Sequence, residues 1–129
     1  MPIGGEIVLT QKAEGGAINA DLAIIQGTNA DDVKLPTAVG QRAKGMTALK
    51  ADAAGKAIPI VILGPAVGTA AAAITAGSFV KIADATGKLQ AVGGEAAATT
   101  IEVVGIALTS AAVSGDTFDL VVVPFRYKV

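Results

Sequence analysis

The amino-acid sequence predicts a mainly β protein, a small antiparallel β-barrel or sandwich built from two pseudo-repeated β units. Short runs of Ile, Val and Leu recur along the 129 residues and are separated by turns rich in Gly and Asp, which is typical of small all-β domains. Helix signals are weak, because segments 41–44 and 70–73 are each about one turn long, too short for an isolated helix to be stable. We therefore expect at most short helical turns.

The internal repeat is the second observation behind this prediction. Gly45 and Gly105 lie 60 residues apart, and ten residues after each comes a second glycine and then an apolar run, 58–63 in one unit and 118–123 in the other. Before these glycines the similarity between the two units is weaker. It pairs 17–20 with 73–76, and Lys34-Leu35 with Lys88-Leu89. We place the repeats at about 17–64 and 73–124, within a single β domain over 17–129. Because the unbroken apolar runs 60–63 and 120–123 do not alternate, we expect both faces of each to be covered and the two strands to lie centrally.

In chain order, residues 1–16 are predicted to form a flexible N-terminal arm. The short apolar run 7–10 lies between glycine pairs, and glycine raises the entropic cost of ordering a segment. The strands predicted after the arm are 22–25, 33–35, 46–49, 58–63, 79–82, 88–92, 101–108 and 117–123. Segment 64–69 contains two glycines and Pro65 and is predicted to connect the two units. Pro124 is expected to end the last strand.

Composition excludes several classes of function. Hydrophobic residues make up 52% of the chain, but many are alanine and only 3% of residues are aromatic, so the core is thin and we expect it to depend on oligomerisation or docking. The net charge is −1 and the basic residues are scattered along the sequence. A nucleic-acid partner is not expected, because such binding needs a basic stripe or stacking platform.

The uncharged stretch between Lys56 and Lys81 is long enough to cross a bilayer. It is interrupted by prolines and glycines and is rich in alanine, which contributes little insertion energy. We therefore expect no membrane partner and interpret this stretch as buried strand, turn and second strand.

No catalytic, metal-binding or cofactor-binding residues are predicted. The chain has no His and no Cys, which removes the common general base, thiol nucleophile and imidazole ligand. The pair Asp31-Asp32 lies in a turn sequence, where Asp side chains hydrogen-bond to nearby backbone. Asp84 opens a second turn that lacks the further oxygen ligands of a calcium loop. The sequence thus indicates a protein that is not an enzyme and binds no small-molecule substrate.

Lys56 and Lys88 each follow a glycine in a predicted turn. This placement is similar to that of the modified lysine in lipoyl and biotinyl carrier domains, which also have a duplicated β fold. The acidic or Met residues that a ligase would recognise do not flank Lys56. A carrier domain therefore remains a minor alternative, and exposed lysines are the simpler interpretation.

The second unit carries a recognisable succession of short motifs. They are Ala73-Ile74-Thr75-Ala76-Gly77-Ser78-Phe79-Val80-Lys81, Thr86-Gly87-Lys88-Leu89, Val103-Val104-Gly105-Ile106-Ala107-Leu108, Ser114-Gly115-Asp116 and Leu120-Val121-Val122-Val123. This succession resembles that of the capsid cement (head decoration) proteins of tailed bacteriophages, with Ser78 where that family usually has Asp. About half of the chain matches well and the first unit matches loosely. The motifs consist of turn and strand residues, so they transfer no catalytic role.

The resemblance implies a virion protein on the outer surface of the capsid, made in the host cytoplasm. It would bind late, as a homotrimer at local three-fold or quasi-three-fold positions, and clamp neighbouring subunits of the major capsid protein against the pressure of the DNA. The N-terminal arm is the expected contact, with Ile3, Ile7, Val8 and Leu9 adding a strand to the sheet edge of a coat subunit. A phage fibre or a receptor- or glycan-binding structural module is the main alternative.

Overall fold

The computed structural model of the chain describes residues 5–128, which form nine β-strands and no helix. The strands are β1 (Ile7–Ala13), β2 (Ala23–Gln26), β3 (Asp32–Lys34), β4 (Gly45–Thr47), β5 (Ala57–Thr69), β6 (Phe79–Ile82), β7 (Leu89–Ala91), β8 (Thr100–Ala107) and β9 (Thr117–Lys128). Segments 41–44 and 70–73 are not helical: the first is irregular, and Ala70 forms a β-bridge with Leu89. No helix within 5–128 is long and apolar enough to span a bilayer.

The first five strands close into a barrel. β1 pairs antiparallel with β5 and, at its C-terminal end, parallel with β3. Antiparallel pairings of β3 with β2, β2 with β4 and β4 with β5 complete the ring. Its interior is filled by aliphatic side chains, which include Ile18, Ile24, Val33, Ile58 and Ile60. The predicted β class is confirmed, with a closed five-stranded barrel.

The second unit has the same topology, and one of its five strands is the C-terminal half of β5, which also belongs to the first barrel. The C-terminal half of β5 (64–69) pairs with β9, β9 with β8, β8 with β6 and β6 with β7, all antiparallel. The parallel bridge between Ala70 and Leu89 joins the ends of this series, as the parallel β1–β3 pairing does in the first barrel. The half-strand 64–69 therefore occupies in the second barrel the position of β1 in the first.

Hydrogen bonds reproduce the repeat and correct its alignment. The Glu14 N–H donates to the Val33 carbonyl at 2.8 Å, and the Ala71 N–H donates to the Leu89 carbonyl at 2.8 Å. Val33 is thus the counterpart of Leu89. The predicted match of Lys34-Leu35 with Lys88-Leu89 is therefore displaced by two residues, since the turns before these strands have the same length: Gln26 pairs with Val33, and Ile82 pairs with Leu89.

Segment 64–69 is a strand, so the prediction of a connector is wrong. Gly64 has a φ of 105° and lies against residue 6, where a Cβ would come within 2.6 Å of the Glu6 Cα. Glycine permits both the bend and the close approach at this corner between the barrels. Gly64 and Pro65 therefore turn β5 from one barrel into the next instead of ending it.

The two barrels pack against each other through strands that are buried on both faces. Ile24 lies in the core of the first barrel, whereas its neighbour Ile25 packs with the core of the second; Ile60 and Val61 divide in the same way. The expectation that the two apolar runs are covered throughout fails at their ends, where the exposed fractions of Leu63 and Val123 are 43% and 37%.

Two boundary predictions are corrected at the chain ends. Residues 7–13 were expected in an arm outside the β domain, but they form β1 and are held by the chain's own β5 and β3. Pro124 does not end β9, which continues to Lys128. It falls in the irregular step of the β8–β9 ladder, between the pairs Gly105–Val122 and Val103–Phe125, where the missing N–H is tolerated.

Candidate interaction surfaces

An exposed apolar row lies on β1. The exposed fractions of Ile7, Val8 and Leu9 are 48%, 43% and 39%, and Ile7 pairs across the sheet with the exposed Leu63. The structure thus brings three of the predicted contact residues together on one strand; the fourth, Ile3, lies outside the described residues. Val8 and Leu9 pair with Val61 and Ile60, which face opposite sides of β5, so the apolar area of this row lies on both sides of β1. Exposed aliphatic side chains that are grouped on one strand mark interaction surfaces more often than isolated ones do.

Three of the four aromatic side chains form a second surface feature at the end of the second barrel. The ring centroids of Phe79 and Phe125 are 5.2 Å apart in an edge-to-face arrangement, and Tyr127 lies 6.1 Å from Phe125 and 6.3 Å from Phe79. Phe125 and Tyr127 are half-buried and pair across the sheet with Val103 and Ile101, which are buried. The cluster therefore packs the end of β9 against β6 and β8.

A basic cluster, missed in the sequence, lies on the other face of β9. Glu102 accepts hydrogen bonds from Arg126 Nε at 2.8 Å and Nη2 at 3.2 Å, and from Arg42 Nε at 3.4 Å. Lys128 lies two residues beyond Arg126, paired with Thr100, so strand alternation puts it on the same face. Basic residues that are scattered along the sequence are brought together because a loop of the first barrel meets β9.

The charges in this cluster are unequally solvated. The Glu102 side chain is 17% exposed, whereas those of Arg42 and Arg126 are 68% and 57% exposed. The Arg126 hydrogen bond, and then the charges of Arg126 and Arg42, hold the pKa of Glu102 below its usual range. Glu102 thus stays ionised and orients the two guanidinium groups, whose outer faces remain in solvent.

Next to this cluster is a shallow cavity of about 240 Å³, lined by Arg42, Glu102, Val103, Pro124, Phe125 and Arg126. It combines an apolar wall with guanidinium donors. Such a cavity suits a polar or acidic side chain presented by another molecule.

A second ion pair fastens the loop between β7 and β8. Lys81 Nζ donates to Glu95 Oε2 at 2.6 Å, and the two side chains are only 13% and 12% exposed. This hydrogen bond lowers the pKa of Glu95. The loop also contains Ala98 with a φ of 67°, an unfavourable backbone conformation for alanine, so its path is imposed by the contacts it makes.

The other carboxylates and lysines singled out in the sequence have structural surroundings. Asp84 accepts from the Thr86 N–H at 2.9 Å, and Asp32 accepts from Asn29 Nδ2 at 2.9 Å, so both aspartates are bound within turns. No group of three or more potential metal ligands occurs within 5–128. Lys56 is exposed and Lys88 is half-buried.

Comparison with known proteins gives a similarity of fold. Neither the known protein families nor the curated proteins contain a match to this chain. Among solved structures, the chain is similar to one described as the head fiber gp8.5 N base of bacteriophage phi29, with a TM-score of 0.65 and 16% sequence identity. The similarity covers 96% of this chain and 99% of that one. It therefore shows that both barrels belong to one fold found in a solved phage protein.

Proposed function

We propose that this protein is a structural component of a tailed-phage head, bound to the outside of the capsid, where it clamps neighbouring subunits of the major capsid protein. The observation that carries the proposal is the similarity of fold over nearly the whole chain to the base of a phage head fiber. The motif succession in residues 73–123 supports the same assignment independently, since it is a property of the sequence and does not depend on the fold.

The surface features support a protein that acts by binding. The exposed row of Ile7, Val8 and Leu9 offers apolar area on a strand whose other edge, over residues 7–10, is unpaired within the described chain. A strand of a coat subunit can add to such an edge by main-chain hydrogen bonds while its side chains cover the apolar row. These residues are the proposed capsid contact.

A homotrimer is the proposed form of the bound protein. The thin core and the exposed aliphatic side chains support association with further copies. Sedimentation equilibrium should give three times the chain mass of 12.6 kDa. A monomer at the concentrations reached on a capsid would contradict this part of the proposal.

Binding to heads tests the central proposal. Phage heads that lack the protein are mixed with purified protein and sedimented, and DNA release on heating or chelation is followed with a fluorescent dye. We expect saturable co-sedimentation and a higher release temperature. Failure to co-sediment would reject the proposal, and binding without a gain in heat or chelator tolerance would reject the clamping role.

The contact residues are tested by substitution, because deletion of residues 1–16 would remove β1 from the first barrel. We expect the double variant Ile7→Ser and Val8→Ser to bind heads at least tenfold more weakly. Val113→Ser is the matched control, since Val113 is also an exposed aliphatic residue but lies in a turn of the second barrel. Equal binding by the two variants would remove β1 from the proposed interface.

The base of a head fibre is the second candidate function, favoured by the description of the similar structure. A fibre base binds the head without needing to stabilise it. The release temperature separates the two candidates: an increase supports clamping, and an unchanged value with saturable binding supports a fibre base.

A further inference from the structure

The C-terminal half of β9 has an open edge. Over residues 124–128, β9 pairs with β8 alone, whereas residues 117–122 also pair with β5. No backbone hydrogen bond from elsewhere in 5–128 reaches the other edge of 124–128. An open edge of this length can accept an additional strand.

Charge at this edge is strongly one-sided. Arg42, Arg126 and Lys128 lie together with Glu102, the only carboxylate within 5–128 that forms an ion pair with these cations. An excess of positive charge here contrasts with the chain's net charge of −1. Each guanidinium has five N–H donors, and Arg42 uses one of them at 3.4 Å within the described chain.

The neighbouring aromatic residues give the edge an apolar side. Phe125 and Tyr127 alternate with Arg126 and Lys128 along β9, so an added strand would place every second side chain beside the cations and the others beside the rings. The cavity lined by Arg42, Pro124 and Phe125 lies at the start of this edge. The open backbone edge, the cations and the apolar wall are therefore placed so that one extended ligand could contact all three.

We propose that the open edge of β9, with Arg42, Arg126 and Lys128, binds an extended acidic segment that adds as a strand. The identity of this partner as the major capsid protein rests on the proposed function. The site on β9 is separate from the apolar row on β1, and its chemistry is ionic where that of the row is apolar. The protein therefore contacts its partner through two different surfaces. Binding at the β9 site is electrostatic and weakens with salt, whereas binding at β1 is apolar.

Charge reversal at this edge is the first test. The double variant Arg42→Glu and Lys128→Glu keeps Arg126 and its bond to Glu102, and its control is Lys50→Glu and Lys56→Glu, which reverses two exposed lysines of the first barrel. Affinity for heads is measured from low to high salt, after equal thermal stability of both variants has been established. We expect the first variant to bind at least tenfold more weakly and to lose most of the salt dependence, with the control within twofold of wild type.

Equal affinities for the two variants would overturn the proposal. Failure of the wild-type protein to bind heads is a different result, since it rejects the proposed function before the variants are compared.

Crosslinking identifies the occupant. A photo-reactive residue is introduced at Lys128, the protein is bound to heads, and crosslinked peptides are sequenced by mass spectrometry. We expect an acidic segment of the major capsid protein, together with slower amide exchange over 124–128 in the bound state. A crosslink to a second copy of this chain, to DNA or to a neutral segment would overturn the proposal, and so would unchanged amide exchange.

Discussion

At the scale of single residues, two glycines explain how the strands of each barrel approach each other. A Cβ on Gly45 would lie 2.5 Å from the Val61 carbonyl oxygen, and one on Gly105 would lie closer still to that of Val121. Neither glycine has a positive φ. Each is therefore required for the space it leaves and not for its backbone conformation.

Gly105→Ala is expected to destabilise the protein by about 2–3 kcal/mol, because the methyl group must displace the backbone of β9. Gly115→Ala is the control: Gly115 has a φ of 92° but open space around its Cβ position, so the cost is about 1 kcal/mol of backbone strain. Urea unfolding measures both values. A larger loss for Gly115→Ala would show that β9 moves to accommodate the methyl group.

Asp21 adopts a positive φ of 64° at the position where the second unit has Gly77. Both residues donate their N–H to corresponding carbonyls, of Thr47 and Ala107. Burial raises the pKa of Asp21, so the folded state disfavours the ionised carboxylate at neutral pH.

Asp21→Asn is therefore expected to raise the free energy of unfolding at pH 7, because asparagine tolerates this φ and carries no charge. A raised pKa in the folded state means that the penalty disappears as the pH falls below the unfolded value, about 3.9. Stability curves at pH 7 and pH 3 should show a gain at the first pH and little at the second. A gain that persists at pH 3 would assign it to the backbone and not to the charge.

Residue patterns predicted the parts of the repeat that depend on backbone geometry. The spacing of Gly45 and Gly105 was readable because only glycine fits there. The basic cluster was not predictable, since Arg42 and Arg126 are 84 positions apart and only the folded chain brings them to Glu102. The sequence also did not indicate that Ile7, Val8 and Leu9 are exposed on a paired strand, because the same aliphatic residues are equally suited to a buried strand.

At the scale of elements, the loop between β7 and β8 depends on one ion pair. Lys81 and Glu95 are largely buried and 2.6 Å apart, unlike the surface pair of Lys50 and Asp52 at 3.9 Å. Surface pairs contribute little to stability. The two pairs therefore provide a matched comparison of the same chemistry in different surroundings.

Glu95→Gln is expected to lower stability at neutral pH, whereas Asp52→Asn leaves it nearly unchanged. The pKa of Glu95 is lowered in the folded state, so its contribution is present above the unfolded pKa of about 4.3 and is lost as the pH falls through the folded pKa. Urea midpoints from pH 7 to pH 3 should show the difference between wild type and Glu95→Gln shrinking below about pH 4. A constant difference across this range would attribute the effect to packing.

The positions of strands were predicted correctly where aliphatic residues dominate. The predictions failed where small residues form a strand. β6 matches its predicted bounds at 79–82. The half-strand 64–69 was missed because its glycines and Pro65 usually signal a turn, although here they serve the bend between the barrels. The last strand was cut short at Pro124 for the same reason.

At the scale of the whole molecule, β5 belongs to both barrels, and their cores meet across β2 and β5. If β5 detaches from one barrel, the other barrel loses a strand as well and is no longer closed. The duplication could be seen in the sequence, but the sharing of one strand could not, because it depends on segment 64–69 being a strand.

The two barrels are therefore expected to unfold in one transition. Ile60→Ala removes a fully buried side chain from the first barrel and should cost about 2–5 kcal/mol. Tyr127 is the only tyrosine and lies at the far end of the second barrel, so its fluorescence reports on that barrel. We expect the urea midpoints from Tyr127 fluorescence and circular dichroism to fall together; an unchanged Tyr127 midpoint would show independent barrels.

The shared strand also sets an order for folding during synthesis. When residues 1–69 have left the ribosome, the first barrel has all its strands, and the second half of β5 extends from it with no partner yet made. The finished barrel therefore supplies the later residues with an ordered strand on which β9 assembles. Until then this edge is open to other nascent chains, and Pro65, which lacks an N–H, makes it a poorer template for aggregation.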